Sequence, residues 1–256
     1  MATKKTPAKA QKPSEVDFTD DLGAGFENVD QGDLGIPFLS ILQKLSPECD
    51  EDNAKYVEGA KPGDIILSTN KKVYGDKSDS LIFVPCGYQK AYVEWTPRES
   101  GGGYVTAHAG AILNQTSKND RNQDVLDNGN LIVTTSYVMG FVYDEDEDEW
   151  LNAVISMTST QLKKARQWLN MMSAHKMEKD GKKLSLPMYS HKYNLHTVLE
   201  TKAENNWYGW SIETNSMVDT LELVTAAREA HKEIAGGSMR MLAPPSTDTN
   251  GEAIPF

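Results

Sequence analysis

Six consecutive acidic residues, Asp144-Glu145-Asp146-Glu147-Asp148-Glu149, stand between two stretches rich in Val, Ile, Tyr, Phe and Thr. Carboxylates without partners are costly inside a strand, so this run belongs in solvent. Residues 130–143 and 149–157 then read as the two sides of one hairpin, with the acidic run as its loop. Residues 64–69, 80–95 and 103–108 carry the same alternating or clustered β signal, giving at least five strands. A second pair is expected over 191–202 and 206–214.

Two helices complete the pattern. The first is expected from Ser159 to about residue 178, with Ser159 as its cap and Leu162, Ala165, Leu169 and Met172 as a buried stripe at helical spacing. Lys163, Lys164, Arg166 and Gln167 then face outward. The second runs over 218–235 and is stopped by Gly236-Gly237. Residues 1–24 and 236–256 are polar and rich in turn formers, and read as disordered tails around one domain at 25–235. The expected class is mainly β with added helices (β+α): an OB-like five-stranded barrel.

Charge decides which functions are open. The chain of 256 residues has a net charge of -11, which taken alone argues against a nucleic-acid partner. The distribution reverses that argument, because residues 150–202 hold nine basic and three acidic residues while the acid is concentrated in 14–60, 144–149 and 203–256. A basic block therefore lies inside the expected fold. No apolar run reaches the roughly 20 residues a membrane-spanning helix needs, and two cysteines, Cys49 and Cys86, fit a reducing cytoplasm and no thiolate zinc site.

Enzyme signatures are weak. Gly101-Gly102-Gly103 lacks the Gly-Lys-Ser/Thr ending of a phosphate loop. Glu200 and Lys202 have the spacing of some metal-dependent nucleases, but an alternating surface pair accounts for them better. His175, His191 and His196 share no metal spacing, and Cys86 in an apolar strand reads as a buried thiol. The expectation is a protein without catalytic activity, cofactor or metal.

Single-stranded nucleic acid is held by aromatic rings that stack on bases and basic groups that neutralise phosphates. Tyr88, Lys90 and Tyr92 share a strand face by period two, with Trp95 and Arg98 at the strand exit. Lys182, Lys183, Tyr189, Lys192 and Tyr193 form a second aromatic-basic cluster; Trp207, Tyr208 and Trp210 form a third. Lys163, Lys164, Arg166 and Trp168 of the first helix complete the candidate set for DNA. The last residues, Ile254, Pro255 and Phe256, end a polar linker with a ring and a carboxylate, a pattern suited to a partner's pocket.

That ending resembles the tail tip of bacterial single-stranded DNA-binding proteins, where an acidic run precedes the same tripeptide; here only Asp248 and Glu252 precede it. The body resembles a group of bacteriophage single-stranded DNA-binding proteins over residues 25–215, through Ile36-Pro37-Phe38-Leu39-Ser40-Ile41-Leu42, Gly59-Ala60-Lys61-Pro62-Gly63-Asp64 and Ser156-Met157-Thr158-Ser159-Thr160-Gln161-Leu162. The resemblance implies an OB-type barrel, coating of single-stranded DNA during phage replication or recombination in the host cytoplasm, and contact of the tail with replication or recombination proteins. A dimer is compatible with it. The rival expectations are an acidic interaction module that mimics DNA, which would not bind DNA, and a nuclease built on Glu200 and Lys202.

Overall fold

A computed structural model describes residues 35–237, apart from the side chain of Arg98. The expectations for residues 1–24 and for the tip Ile254, Pro255 and Phe256 lie outside the described residues. Thirteen strands and two helices follow one another within it. The long strands are β4 (Leu81–Thr96), β8 (Leu131–Asp144), β9 (Glu149–Thr158), β12 (His191–Lys202) and β13 (Asn205–Met217). Helix α1 (Gln161–Ala174) separates β9 from β12, and α2 (Leu221–Gly236) follows β13.

The sheet runs β13-β12-β4-β8-β9-β1-β2-β3, where β1 is Phe38–Ile41, β2 Ile65–Leu67 and β3 Val73–Gly75. It curls into a half-barrel of OB-like β+α type. Its wall is the five long strands, with α1 between the third and the fourth, and five strands is the number of an OB barrel. The ends of the sheet are drawn together by isolated hydrogen bonds. Thr197 N–H donates to the Asp76 carbonyl at 3.0 Å, Thr197 Oγ1 to the Gly63 carbonyl at 2.6 Å, and the Gln43 amide both donates to and accepts from the backbone of Tyr208. The Gln43 contact also satisfies backbone groups that an edge strand would leave open.

The inner face is one apolar cluster to which β1, β2, β4, β8, β9, β12 and β13 all contribute, and α1 closes it with Ala165, Trp168 and Met172. On the opposite face α2 lays Leu223, Ala227 and Ala230 over Val84, Cys86 and Phe141. Close approach is built in at two glycines. A Cβ at Gly140 would stand 2.0 Å from the Val84 carbonyl oxygen, and one at Gly87 would stand 2.5 Å from Ile234. Pro85 is tolerated in a central strand because it sits at a register shift between Pro85 and Gly87, where the ladder is already broken.

Several expectations change in detail. Helix α1 ends at Ala174, not near 178, and residues 176–185 form a separate hairpin of β10 (Lys176–Lys179) and β11 (Lys182–Ser185). Ser159 is not a side-chain cap: its backbone is left-handed (φ 47°), and the N-cap residue Thr160 makes no capping bond. Trp168 joins Ala165 and Met172 on the buried stripe, with Leu162 and Leu169 at its half-buried margins. The strand expected at 103–108 is β5 (Gly103–His108), which pairs with β4, and short strands not read from the sequence extend the sheet further, including β7 (Asp124–Val125) beside β8.

Candidate nucleic-acid interface

Strand β4 leaves the barrel core through its own alternation. Tyr88 packs against the inner cluster and its hydroxyl lies 3.1 Å from Ser136 Oγ. The next residues on that face, Lys90, Tyr92 and Glu94, lie opposite Ser136, Thr134 and Ile132 of β8. The apolar inner face thus continues past the barrel mouth as a polar strip. Lys90 is exposed, and its Nζ stands 5.4 Å from the centre of the half-buried Tyr92 ring. A Cβ at Gly110 would stand 3.3 Å from the same ring, so glycine leaves that edge of Tyr92 uncrowded.

Glu94 anchors the strip. Its carboxylate accepts from Asn130 Nδ2 at 2.6 Å and lies 2.7 Å from His108 Nε2. These two bonds, Asn130 first, hold its pKa below the ordinary carboxylate range despite its burial. The strip is therefore fixed from beneath by a paired acid, while the outward cation beside Tyr92 remains Lys90.

Helix α1 starts at the same end of the barrel. Thr158, the last residue of β9, pairs with Thr135, next to the Thr134 that faces Tyr92. Lys163 and Arg166 are exposed on the helix; Lys164 pairs with Glu200 at 3.3 Å. A groove of about 420 Å³ between α1 and β13 is lined in part by Lys164, Gln167, Asn170 and Ser211. Lys182 and Lys183 are exposed on β11 beyond the far end of α1.

Other members of the expected set are structural. Trp168 is fully buried, with Phe83 and Tyr193 edge-on to it at 5.8 and 5.6 Å, because a ring of that size on the inner helix face fills the barrel. Tyr193 is also fully buried, and burial pushes its phenol up to about 12. Neither ring can stack on a base in this fold. Lys192 is spent on Asp219, whose two oxygens each lie 3.0 Å from Nζ. Tyr189 packs half-buried against the α2 cluster near His231. Trp95 alternates to the opposite face from Tyr92 and meets Tyr104 edge-on at 6.0 Å. Arg98 opens a 3-10 turn over Arg98–Ser100. Trp210 is buried and Tyr208 packs on Gly63, so the third cluster serves the closure of the barrel.

The weaker chemical candidates resolve similarly. Burial pushes the Cys86 thiol up to about 12. Glu200 pairs with Lys164, and among the described residues no three His, Cys, Asp or Glu side chains gather as metal ligands. The acidic turn is organised from one side, since Lys72 binds Asp144 and Asp146 and the Tyr74 hydroxyl donates to Asp144 at 3.0 Å. Sequence reasoning did not single out Lys176 and Lys179, exposed on the β10–β11 hairpin; Asp180-Gly181 amid lysines was the available signal for that hairpin.

With this geometry in hand, comparison with known families matches residues 3–240 to a family described as Pam3 phage gp34-like protein. The chain belongs to this phage protein family. No curated protein and no solved structure matches the chain. No helix among the described residues is long and apolar enough to cross a membrane.

Proposed function

We propose that this phage-family protein binds single-stranded DNA without cleaving it, protecting the strand during phage replication or recombination. The observation that carries the reading is the Lys90–Tyr92 pair on the polar strip at the mouth of an OB-like barrel. A cation beside a partly open ring supplies the two contacts a single strand needs, one for phosphate and one for a base face. The start of α1, with Lys163 and Arg166 exposed, extends the positive surface from the same end of the barrel. OB folds bind oligonucleotides through strand faces and the loops between them, and here the connection between β4 and β8 carries the accessory strands β5, β6 (Ser117–Lys118) and β7.

Glu200, on which the nuclease alternative rests, pairs with Lys164, and the proposal is for binding alone. The C-terminal tip is assigned to docking of replication or recombination proteins on sequence grounds. The test of the reading is a titration of the full chain with oligo-dT, followed by intrinsic tryptophan fluorescence and by gel retardation. Because no tryptophan lies on the Lys90–Tyr92 strip, the deciding readout is retardation of labelled oligo-dT in a gel: saturation at a defined number of nucleotides per protein supports the reading, and an unretarded oligonucleotide contradicts it, whatever the spectrum does.

A further inference from the structure

The β10–β11 hairpin stands apart from the barrel. Its strands pair with each other and with no other described strand, and every residue of both is exposed. Asp180-Gly181, with φ 53° and 71°, closes it with the paired positive φ values of a type I′ turn. Its base is held firmly. Leu186 N–H donates to the His175 carbonyl at 2.8 Å, Ser185 Oγ donates to the Ser173 carbonyl at 3.2 Å, and the His175 and His191 rings stack with centroids 3.6 Å apart.

The register gives the two faces of this ribbon different characters. Met177 lies opposite Leu184 and Lys179 opposite Lys182, which puts these four side chains on one face. Met177 is 55% exposed and Leu184 52%, so an apolar pair sits in water beside two cations. Lys176, Glu178, Lys183 and Ser185 occupy the other face.

Building on the single-strand reading above, we propose that this ribbon is a DNA-contacting arm in which Met177 and Leu184 pack on unstacked bases while Lys179 and Lys182 meet phosphates. Charge selects this occupant. Residues 161–185 carry seven basic and two acidic side chains, which favours an anionic partner. A second copy of the ribbon would set lysine against lysine, a repulsive pairing. Leucine and methionine are side chains that DNA-binding proteins insert against base steps. A ribbon of two short strands has little stability of its own, so its fixed base is what lets the arm hold such a face outward.

The test uses two variants of the full chain, Met177→Ser/Leu184→Ser and Lys179→Gln/Lys182→Gln, with the thermal midpoint as a folding control. Each is titrated with labelled oligo-dT and with an abasic strand of equal length across a salt series. The lysine variant is expected to flatten the slope of log K against log salt by about 1.4, near 0.7 for each lost phosphate contact. The apolar variant is expected to keep the slope, weaken binding to oligo-dT about five- to tenfold, and leave the abasic strand unaffected. Wild-type affinity and slope in both variants overturn the arm while leaving the single-strand reading in place. A change of oligomeric state with unchanged DNA binding overturns it in favour of self-association, whereas a wild-type chain that binds no strand removes both proposals.

Discussion

At the scale of single residues, Tyr92 and Trp168 mark two different uses of an aromatic ring. Tyr92 is half-buried beside an exposed lysine, whereas Trp168 is enclosed by Phe83 and Tyr193. Tyr92→Ala is expected to weaken oligo-dT binding by about 1–3 kcal/mol, roughly five- to 150-fold, with an unchanged thermal midpoint. Trp168→Ala is expected to lower stability by about 3–5 kcal/mol, read from denaturant unfolding. A Trp168 variant that unfolds like the wild type contradicts its place in the core. The shared face of Tyr88, Lys90 and Tyr92 was legible in the sequence because strand alternation has a strict period of two. The burial of Tyr193 was not, because which face of β12 turns inward depends on its pairing with Phe83 of β4.

At the scale of elements, the long strands and both helices were visible in their hydrophobic periods, and the acidic turn between β8 and β9 in its charge. The β10–β11 hairpin was not read, since a lysine-rich run after a helix continues helical composition while its strands lack an apolar alternation. Its base carries a pH dependence. Desolvation first, and then the neighbouring His175, lower the pKa of His191 below 6.5. The folded state therefore resists protonation more than the unfolded chain does, so stability is full above pH about 6.5 and falls as pH drops through that value. Ser190 Oγ lies 2.8 Å from His191 Nδ1 and holds the neutral ring in place. The protection of Leu186 N–H, its exchange rate corrected for the intrinsic slowing in acid, is expected to fall between pH 7 and pH 5, and His191→Gln is expected to abolish that fall.

At the scale of the whole molecule, β8 is a polar axis. Thr134, opposite Tyr92, and Asp144, at the acidic turn, lie ten residues apart on one strand, about 33 Å. Acid pinned by Lys72 occupies one end; Lys90, Lys163 and Arg166 belong to the other. On the proposed reading, a chain of net charge -11 thus has one end left for phosphate, and its acidic turn would repel a strand from the other. The inversion was legible in the basic block at residues 150–202, but its division among α1, the projecting ribbon and the spent Lys192 was set by tertiary pairing alone. The most direct measurement is fluorescence anisotropy of labelled oligo-dT with the full chain, repeated over a salt series and against a duplex of equal length. The account predicts preference for the single strand and a steep linear loss of log affinity with log salt. Equal binding of both forms, or no binding at low salt, would contradict it.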